Sequence, residues 1–310
     1  MRSHEPIPTI EPARAGTAVS RSPQLGINPL PWLLSPSGLT LEVATLRTAF
    51  AEIAETGFTA VQADIPEGLT PAGYLALLQE YGLAPAPGYF QGAYDDPEAM
   101  PALLESARRH AGSQTALGMT EVFIASALAA ERLATPAVGA ASDPARLDTV
   151  IENLARTCEV IVAEGLRPCL HPHVGTWIET ERETRAVLDA IAPGLLAFGP
   201  DTGHLRWAGA DPAALIAHYR DRVGAAHLKD IHTAVAAQGG DYWEATFARH
   251  LWTEPGQGDV DLEAALAALP EDFAGWLVIE VDVPDHRTAK DSAVLSRRWT
   301  LTHLGKECRR

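Results

Sequence analysis

The feature of this chain that most restricts its fold is a pattern that recurs between residues 24 and 303. A short apolar run ends in a polar or glycine-containing turn, and an amphipathic segment with helical periodicity follows. Such a pattern predicts strands that alternate with helices. Eight apolar runs predict strands, at 24–28, 58–64, 83–89, 121–126, 167–170, 196–199, 223–228 and 276–281. Eight strands in alternation with helices are typical of an α/β fold, a (β/α)8 TIM barrel.

Capping residues mark where the predicted helices begin. In Asp143-Pro144 and Asp211-Pro212, an N-cap residue directly precedes a proline at the first helical position. Thr70-Pro71 and Asp96-Pro97 have the same form, and Gly57 is a typical helix stop. The predicted helices span 41–56, 70–82, 96–110, 143–165, 179–192, 211–219, 260–269 and 288–303.

An open, doubly wound sheet is the alternative α/β architecture. That fold would place a glycine-rich GxGxxG turn after its first strand, and no such turn follows residues 24–28. A strand–helix–strand unit sets its two strands parallel, as both architectures require. Pro85 and Pro87 weaken the third predicted strand, because proline cannot donate to a strand ladder. We therefore expect a single barrel domain over residues 22–310.

The composition argues against several classes of partner. The 310 residues carry a formal net charge of −16, whereas binding to a nucleic-acid backbone relies on clustered Lys and Arg. No apolar run reaches the roughly 20 residues that a membrane span needs. Cys158, Cys169 and Cys308 are too few for a disulfide framework, so a reducing, cytoplasmic setting is expected. The expected partner is a small molecule, and the sequence leaves a homo-oligomer open.

Polar side chains follow the predicted strands at their carboxyl ends, where barrel enzymes assemble their sites. The first four strands end mostly in neutral groups, and the last four end in carboxylates and imidazoles. In chain order these residues are Asn28, Gln62 with Asp64, Tyr89, Ser126, His171 with His173, Asp201, His227 with Lys229, and Glu280 with Asp282. The second half of the barrel is therefore predicted to carry the chemistry.

Asp201 and His227 end consecutive predicted strands. Neighbouring strands lie about 4.8 Å apart, so the two side chains could share a metal ion. Carboxylate oxygens and imidazole nitrogens suit Mn²⁺, Co²⁺ or Zn²⁺. No cysteine falls at a strand end, which argues against a structural zinc site of the thiolate type. Taken singly, Asp201 could instead cap a turn and His227 could be a core histidine.

His171 and His173 are two residues apart, so both point to the same face of an extended strand. One can bind a metal ion while the other faces a substrate, and the spacing does not decide which. Glu280 ends the apolar run 276–279, where a buried carboxylate needs a compensating cation. Asp282 either is also buried beside that cation or faces solvent.

Six segments stand out in order along the chain: QLGINPLPW, HPHVGTWIET, DTGHLRWAGADP, HLKD, PGQGDVDLEAALAAL and GWLVIEVD. Together they resemble the inosose dehydratases, a branch of the xylose-isomerase-like barrel superfamily of sugar isomerases and epimerases. The resemblance covers residues 24–285. It implies four metal ligands, His171, Asp201, His227 and Glu280, and it implies that His204 contacts the substrate. The first ligand is usually Glu in the isomerases and His in the dehydratase branch.

Several positions depart from the dehydratase pattern. Gln62 and Ser126 stand where the dehydratases tend to carry Glu, the GDG turn is Gly256-Gln257-Gly258, and residues 280–284 replace the EAEQDP tail. These positions are expected to face the substrate, whereas the implied metal set is intact. The departures therefore concern the choice of substrate more than the reaction class.

The resemblance and the strand-end residues together predict a metal-dependent lyase of carbohydrate metabolism, in inositol catabolism or a related route. Its expected substrate is a keto-cyclitol such as 2-keto-myo-inositol, or a 3-keto-sugar or its glycoside. Mn²⁺ is the expected ion, with Co²⁺, Mg²⁺ and Zn²⁺ as alternatives. His173 or Glu280 is expected to remove the proton next to the carbonyl group. His204 or Lys229 is then expected to protonate the departing oxygen.

Three other functions fit part of the sequence. A metal-dependent keto-sugar isomerase or epimerase is the main alternative, and it would favour a carboxylate where His171 stands. A DNA-repair endonuclease of the same superfamily would need a basic face, which the net charge of −16 opposes. A non-catalytic barrel would not need His204 and Lys229 beside the metal residues. Three tryptophans lie in loops beyond strand ends and are expected either to line the pocket or to pack in the protein interior: Trp32, Trp177 and Trp207.

Residues 1–21 are rich in proline and lack the apolar core of a signal peptide, which predicts a disordered N-terminal extension. The segment has too little apolar surface to offset the entropy of ordering it. Deletion of residues 1–21 is therefore expected to leave the melting temperature nearly unchanged in a thermal unfolding experiment. A large drop would mean that the segment packs against the barrel.

Overall fold

Eight parallel strands form the frame of the molecule, as the sequence pattern predicts. They are β1 (Gln24–Ile27), β2 (Ala60–Gln62), β3 (in two segments, Ala84–Ala86 and Tyr89–Gly92), β4 (Glu121–Ser126), β5 (Arg167–Leu170), β6 (Ala197–Phe198), β7 (Ala225–Leu228) and β8 (Trp276–Ile279). The structure, a computed structural model, describes residues 22–285 and 287–304. The predicted extension at 1–21 and Cys308 lie outside these residues.

The strands follow one another around the barrel in chain order. Each ladder between neighbours is parallel, and β8 pairs with both β1 and β7. The first segment of β3 pairs with β2, and its second segment pairs with β4. Two parallel bridges, Phe198 with Val223 and Asp201 with His227, join β6 to β7. Together with the chain that joins the two segments of β3, these contacts connect the eight strands in a ring.

The third strand differs from its prediction. The sequence predicts one strand at 83–89, but Pro87 and Gly88 interrupt it and its second segment continues to Gly92. Pro87 has no N–H group for a ladder. The side chain of Gln114 fills the gap: its Oε1 accepts from the Gly88 N–H at 3.0 Å, and its Nε2 donates to the Ala63 carbonyl oxygen at 2.8 Å.

Eight helices connect the barrel strands and cover them. They are α1 (Val43–Thr56), α2 (Pro71–Glu80), α3 (Met100–Ala116), α4 (Pro144–Ala163), α5 (Glu181–Ala190), α6 (Pro212–His218), α7 (Leu262–Ala267) and α8 (Ala289–His303). None of the helices in the described part of the chain has the length and apolar character that a membrane crossing requires.

Capping explains most of the helix bounds. The side chains of Thr70, Asp143 and Asp211 each accept a hydrogen bond from a backbone N–H in the first turn, as predicted. α1 ends at Gly57, which has a φ of 86°. The prediction of a helix over 96–110 is wrong at both ends, since α3 runs from Met100 to Ala116. Asp96 caps a separate turn, in which its Oδ1 accepts from the N–H groups of residues 98 and 99.

Short elements shape the loops at the carboxyl edge of the barrel. Two antiparallel pairs are formed by Leu34–Ser35 with Gly38–Leu39 and by Asp230–Ile231 with Trp252–Thr253. The short helices at this edge are Leu30–Leu33, Ala130–Ala134, Thr202–Trp207, Thr233–Ala236 and Glu244–Ala248, and a further one, Arg220–Arg222, leads from α6 into β7.

The alternation of side chains along each strand carries the functional residues inward. Outward-facing residues such as Leu277 and Ile279 belong to the core between strands and helices. Inward-facing residues form a second buried cluster of Ala60, Ala86, Phe123, Cys169, Ala197, Ala225, Trp276 and Val278. Because the side-chain period is two, the next inward positions reach the carboxyl edge of the barrel. They include Gln62, His171, His227 and Glu280.

The packing of β3 against Gln114 gives a stability prediction. Gly88→Ala is expected to lower the free energy of unfolding by roughly 1–3 kcal/mol, because a Cβ there would overlap the Ala63 carbonyl oxygen and Gln114 Nε2. Gly112→Ala is the matched control within α3. Its Cβ would meet no atom nearer than Glu164 Oε2 at 4.0 Å, so a gain of about 0.5–1 kcal/mol is expected. Urea unfolding measures both variants, and equal stabilities would contradict this account of β3.

Candidate metal centre and active site

The carboxyl ends of four consecutive strands bring the predicted ligand residues together. Asp201 forms a parallel bridge with His227, and the β7–β8 register pairs His227 with Val278. Glu280 lies two residues beyond Val278, so it points into the barrel beside His227. His171 directly follows β5 and completes the group.

These four side chains could hold a divalent ion. His171, Asp201, His227 and Glu280 are buried, and each offers one ligand atom within 4.8 Å of the others. His171 Nε2 and Asp201 Oδ2 lie 3.9 Å apart, and neither atom has a hydrogen-bond partner. Buried polar atoms are rarely left unpaired, and a cation between these two atoms would pair both. Two imidazole nitrogens and two carboxylate oxygens suit a borderline divalent ion.

The charges at this edge of the barrel also favour a cation. Asp201, Glu280 and Asp282 are buried carboxyl groups, and the Lys229 ammonium group lies among them. If all three carboxyl groups are ionised, two negative charges remain after Lys229 is counted. One divalent ion would balance them. Burial raises the pKa of Asp201 to about 8, so a proton can relieve part of the excess, and a bound ion would displace that proton.

Burial keeps the imidazoles of the site neutral. It lowers the pKa of His227 to about 4 and that of His173 to about 3. It also lowers the pKa of His171 and of His204 well below the usual value. A neutral imidazole has a free lone pair, which can bind a metal ion or accept a proton.

Lys229 lies at the centre of the deeper part of the site. Its Nζ is 2.7 Å from Glu280 Oε1, 2.5 Å from Asp282 Oδ1 and 4.1 Å from the centre of the Trp252 ring. Burial alone would lower the pKa of Lys229, but the carboxylates of Asp282 and Glu280 outweigh it and raise the pKa. Lys229 is therefore a permanent cation that fixes the orientation of both carboxylates.

His204 lies one helical turn beyond Asp201, as the sequence predicts. Asp201 Oδ1 caps the short helix by accepting from the His204 N–H at 2.7 Å, while Asp201 Oδ2 faces the ligand group. The His204 ring meets two N–H donors: the Val174 backbone at 3.3 Å from Nδ1, and Lys229 Nζ at 3.2 Å from Nε2. A neutral imidazole has one acceptor nitrogen, so it satisfies only one of these donors at a time.

Two neutral side chains hold the ligand residues in place. Asn28 Nδ2 donates to Glu280 Oε2 at 2.5 Å. Gln62 Oε1 lies 2.7 Å from His227 Nε2, so this nitrogen carries the proton and Nδ1 carries the lone pair. The amide of Gln62 thus orients the His227 ring, at the position where the resemblance would place Glu.

A cavity of about 420 Å³ opens beside the ligand group. The predicted strand-end residues that line it are Asn28, Gln62, Asp64, Tyr89, His171, His173, Glu280 and Asp282. Ser126, Asp201, His204, His227 and Lys229 do not line it and lie deeper in the barrel. Asp282 therefore faces the cavity and, at the same time, contacts Lys229 behind it.

Some residues of the cavity were not predicted from the sequence. Gln91 was missed because β3 was predicted to end at Tyr89, although its place two residues further on the same face was the available signal. Tyr242 and Trp243 also line the cavity, and they come from a stretch without strand periodicity. The three tryptophans that were candidate walls pack elsewhere and do not line it: Trp32, Trp177 and Trp207.

Comparisons with known proteins agree with this architecture. The profile of a family described as "Xylose isomerase-like TIM barrel" matches residues 50–301. An inosose dehydratase from Geobacillus kaustophilus is 24% identical over 294 residues, which cover 92% of this chain and 92% of that protein. An inosose dehydratase from Lactiplantibacillus plantarum is 29% identical over 162 residues, which cover 51% of this chain and 54% of that protein.

Solved structures share the fold at lower identity. A D-allulose 3-epimerase from Methylomonas sp. has a TM-score of 0.65 at 19% identity and covers 91% of this chain and 98% of its own. The probable 3-DHS dehydratase AsbF from Bacillus anthracis has a TM-score of 0.64 at 16% identity, with 90% and 98% covered. The IolI protein with a bound zinc atom has a TM-score of 0.65 at 14% identity, with 91% and 98% covered.

The geometry predicts which substitutions remove the metal ion. Asp201→Asn is expected to lower the metal content well below one ion per chain, because it keeps the cap to the His204 N–H but loses the charge at Oδ2. His204→Ala is expected to retain the ion, since His204 is not one of the four ligand residues. Mass spectrometry of metal content after dialysis measures both. Unchanged metal content in Asp201→Asn and in His227→Ala would rule out this centre.

Proposed function

Because the chain belongs to the xylose isomerase-like TIM barrel family, we propose that it is a divalent-metal-dependent lyase. Its substrate in this proposal is a keto-cyclitol such as 2-keto-myo-inositol, or a 3-keto-sugar or its glycoside, from which it eliminates a β-substituent. The observation that carries the proposal is the buried group of His171, Asp201, His227 and Glu280 beside a cavity that His173 also lines. The two relatives named inosose dehydratase support this choice of reaction and substrate class.

A divalent ion held by these four residues would polarise the ketone oxygen of the substrate and so acidify the neighbouring C–H bond. We take Mn²⁺ as the first candidate, because the two carboxylate ligands suit it, with Co²⁺, Mg²⁺ and Zn²⁺ as alternatives. The zinc atom in the IolI protein, which has a similar fold, supports a divalent ion without deciding its identity.

We assign the role of base to His173. Its Nδ1 donates to the Val174 carbonyl oxygen at 2.7 Å, so its Nε2 carries the free lone pair. The His173 side chain lines the cavity and is only partly buried. Glu280 suits this role less well, because Oε1 contacts Lys229 and Oε2 accepts from Asn28. Of the two bases that the sequence left open, Glu280 is therefore kept as a ligand.

The proton for the departing oxygen is proposed to come from Asp282, because burial raises the pKa of its carboxyl group to about 6. Lys229 and His204 lie too deep to line the cavity, but Asp282 lines it and contacts Lys229 Nζ at 2.5 Å. In this scheme Lys229 orients the Asp282 carboxyl group, and His204, at 3.2 Å from Lys229 Nζ, contacts Lys229 from the inner side. General acid–base help of this kind typically contributes about 10²–10⁴-fold to the rate.

The identity of residue 171 favours elimination over isomerisation. The resemblance implies that isomerases and epimerases carry a metal-bound carboxylate at this position, so that a proton can leave one face of the substrate and return on the other. An imidazole bound to metal has no lone pair left for a proton. Return of the proton is therefore impaired with His171, whereas proton loss followed by departure of a β-substituent is not. A keto-sugar isomerase or epimerase is the alternative.

The product distinguishes these two functions. With Mn²⁺, the protein is expected to convert 2-keto-myo-inositol or a 3-keto-glucoside into a conjugated enone with loss of water or an alcohol. Ultraviolet absorbance detects the enone, and mass spectrometry detects the loss. An isomer of unchanged mass, formed at an enzymatic rate, would contradict elimination. Activity on 3-keto-glucosides alone would be consistent with a lyase and would exclude keto-inositols as its substrates.

The same assay tests the proposed base with a matched pair of histidines. His173→Asn is expected to lower kcat by about 10²–10⁴-fold, because the free Nε2 is lost. His218→Asn is the control, since His218 is exposed at the end of α6 and precedes the start of β7, whereas the site lies at the carboxyl ends of the strands. Full turnover in His173→Asn with normal metal content would mean that another group takes the proton.

A further inference from the structure

The cavity beside the ligand group has two walls of different chemistry. His171, His173, Glu280 and Asp282 belong to its polar wall. Its apolar wall includes Leu30, Leu34, Leu39, Leu128, Tyr242 and Trp243, which come from the loops after β1, β4 and β7. The volume of about 420 Å³ falls within the range of roughly 300–1,000 Å³ that is typical of sites for drug-sized ligands.

Part of the apolar wall is open to water. The exposed fraction is 56% for Leu39, 38% for Trp243 and 37% for Leu128. Seven large apolar side chains are exposed among the described residues, and three of the seven line this one cavity. Single exposed apolar residues need no explanation, but several on one cavity indicate a surface that binds an apolar group.

An unsubstituted keto-cyclitol does not match this wall. Each remaining ring carbon of such a molecule carries a hydroxyl group. A hydroxyl group placed against leucine side chains loses its hydrogen bonds to water without replacement, which is unfavourable. The hydroxyl groups of a sugar ring are better matched by the polar wall, so the apolar wall is left for another part of the substrate.

Asp282 and Tyr242 mark the place where the two walls meet. Asp282 contacts Lys229 Nζ at 2.5 Å, and both Asp282 and Tyr242 line the cavity. The Tyr242 ring belongs to the apolar wall and lies 4.8 Å from the Trp243 ring, centre to centre. A departing oxygen held at Asp282 would therefore carry its apolar substituent along these two rings.

We propose that the apolar wall is a subsite for the leaving group, and that the preferred substrate is a 3-keto-glycoside of a phenol or another apolar alcohol. The inference rests on the proposed lyase activity and names its substrate class. In the reaction, the C2–H bond next to the C3 ketone breaks, and its electron pair forms the C1–C2 double bond as the C1–O bond breaks. The C2 proton passes to His173, and the aglycone oxygen takes up one proton, so no net proton is gained or lost. The products are an enone and a free phenol or alcohol, and no oxidant or reductant is consumed.

Binding without turnover tests the subsite directly. Phenyl β-D-glucoside and methyl β-D-glucoside lack the ketone and cannot undergo the elimination. Calorimetry with the Mn²⁺-loaded protein is expected to give a Kd at least about tenfold lower for the phenyl compound, because contacts in an apolar pocket discriminate by that order. Leu39→Asn is expected to remove most of this difference. Leu301→Asn, at a 41% exposed leucine on α8, is the matched control and is expected to keep it.

Leu39 is more than half exposed, so its substitution is expected to leave the melting temperature unchanged. If Leu39→Asn nevertheless unfolds, Trp243→Ala provides the second variant for the same titration. Equal affinities of the two glucosides for the unmodified protein would overturn the subsite. A dimer that Leu39→Asn dissociates, with equal glucoside affinities, would also overturn it and would identify the wall as an interface between copies.

Turnover separates the subsite from the proposed function. Phenyl 3-keto-β-D-glucoside is expected to release phenol with a kcat/KM at least about tenfold above that for release of methanol from the methyl compound. Preferential binding of phenyl β-D-glucoside without elimination from any ketone would support the subsite and overturn the lyase. Elimination with equal kcat/KM for both compounds would support the lyase and overturn the subsite.

Discussion

The interaction on which this site depends is the burial of three carboxyl groups around one ammonium group at the carboxyl edge of the barrel. Lys229 contacts Glu280 and Asp282 directly and lies 3.9 Å from Asp201. Buried charges are unfavourable unless they are paired, and here the partners come from three neighbouring strands. A shift of one strand by one residue would turn its ionic group towards the helices. The parallel register of the barrel and the pairing of these charges therefore depend on each other.

Two aspartates connect this charge arrangement to the backbone. Asp201 uses Oδ1 to cap the helix that carries His204, which leaves Oδ2 to face His171. Asp230, next to Lys229, holds the loop that follows the second antiparallel pair. Its two oxygens accept from the backbone N–H groups of Ile231, Gly256, Gly258 and Val260. The HLKD and GQG segments of the sequence are thus parts of one structural unit, in which the Asp230 carboxylate fixes the loop beside Lys229.

The periodicity of apolar residues made the strand ends predictable, but it does not indicate how deep in the barrel a side chain lies. Glu280 and His227 could be identified because each lies at the end of an apolar run. Side chains alternate along a strand, and both residues fall on positions that point inward. The same pattern could not indicate that Lys229 and His204 lie behind the cavity, since their depth depends on packing against Trp252. Local signals were ambiguous in a similar way at Asp96. An aspartate before a proline caps an isolated turn as well as a helix, and α3 begins only after that turn.

The apolar wall could not be predicted from the sequence, because its residues cannot be distinguished there from ordinary core residues. Nothing in the periodicity separates Leu34 and Leu39 from core leucines, and only their place on the cavity and the exposure of Leu39 do so. Trp32, a candidate for a pocket wall, instead donates to Glu52 Oε2 at 2.7 Å. The wall residues stand in loops and have no part in the pairing of the buried charges. Changes in the loops of such a barrel can therefore alter which substrate group binds. The strand ends meanwhile keep the ligand residues and, with them, the class of reaction.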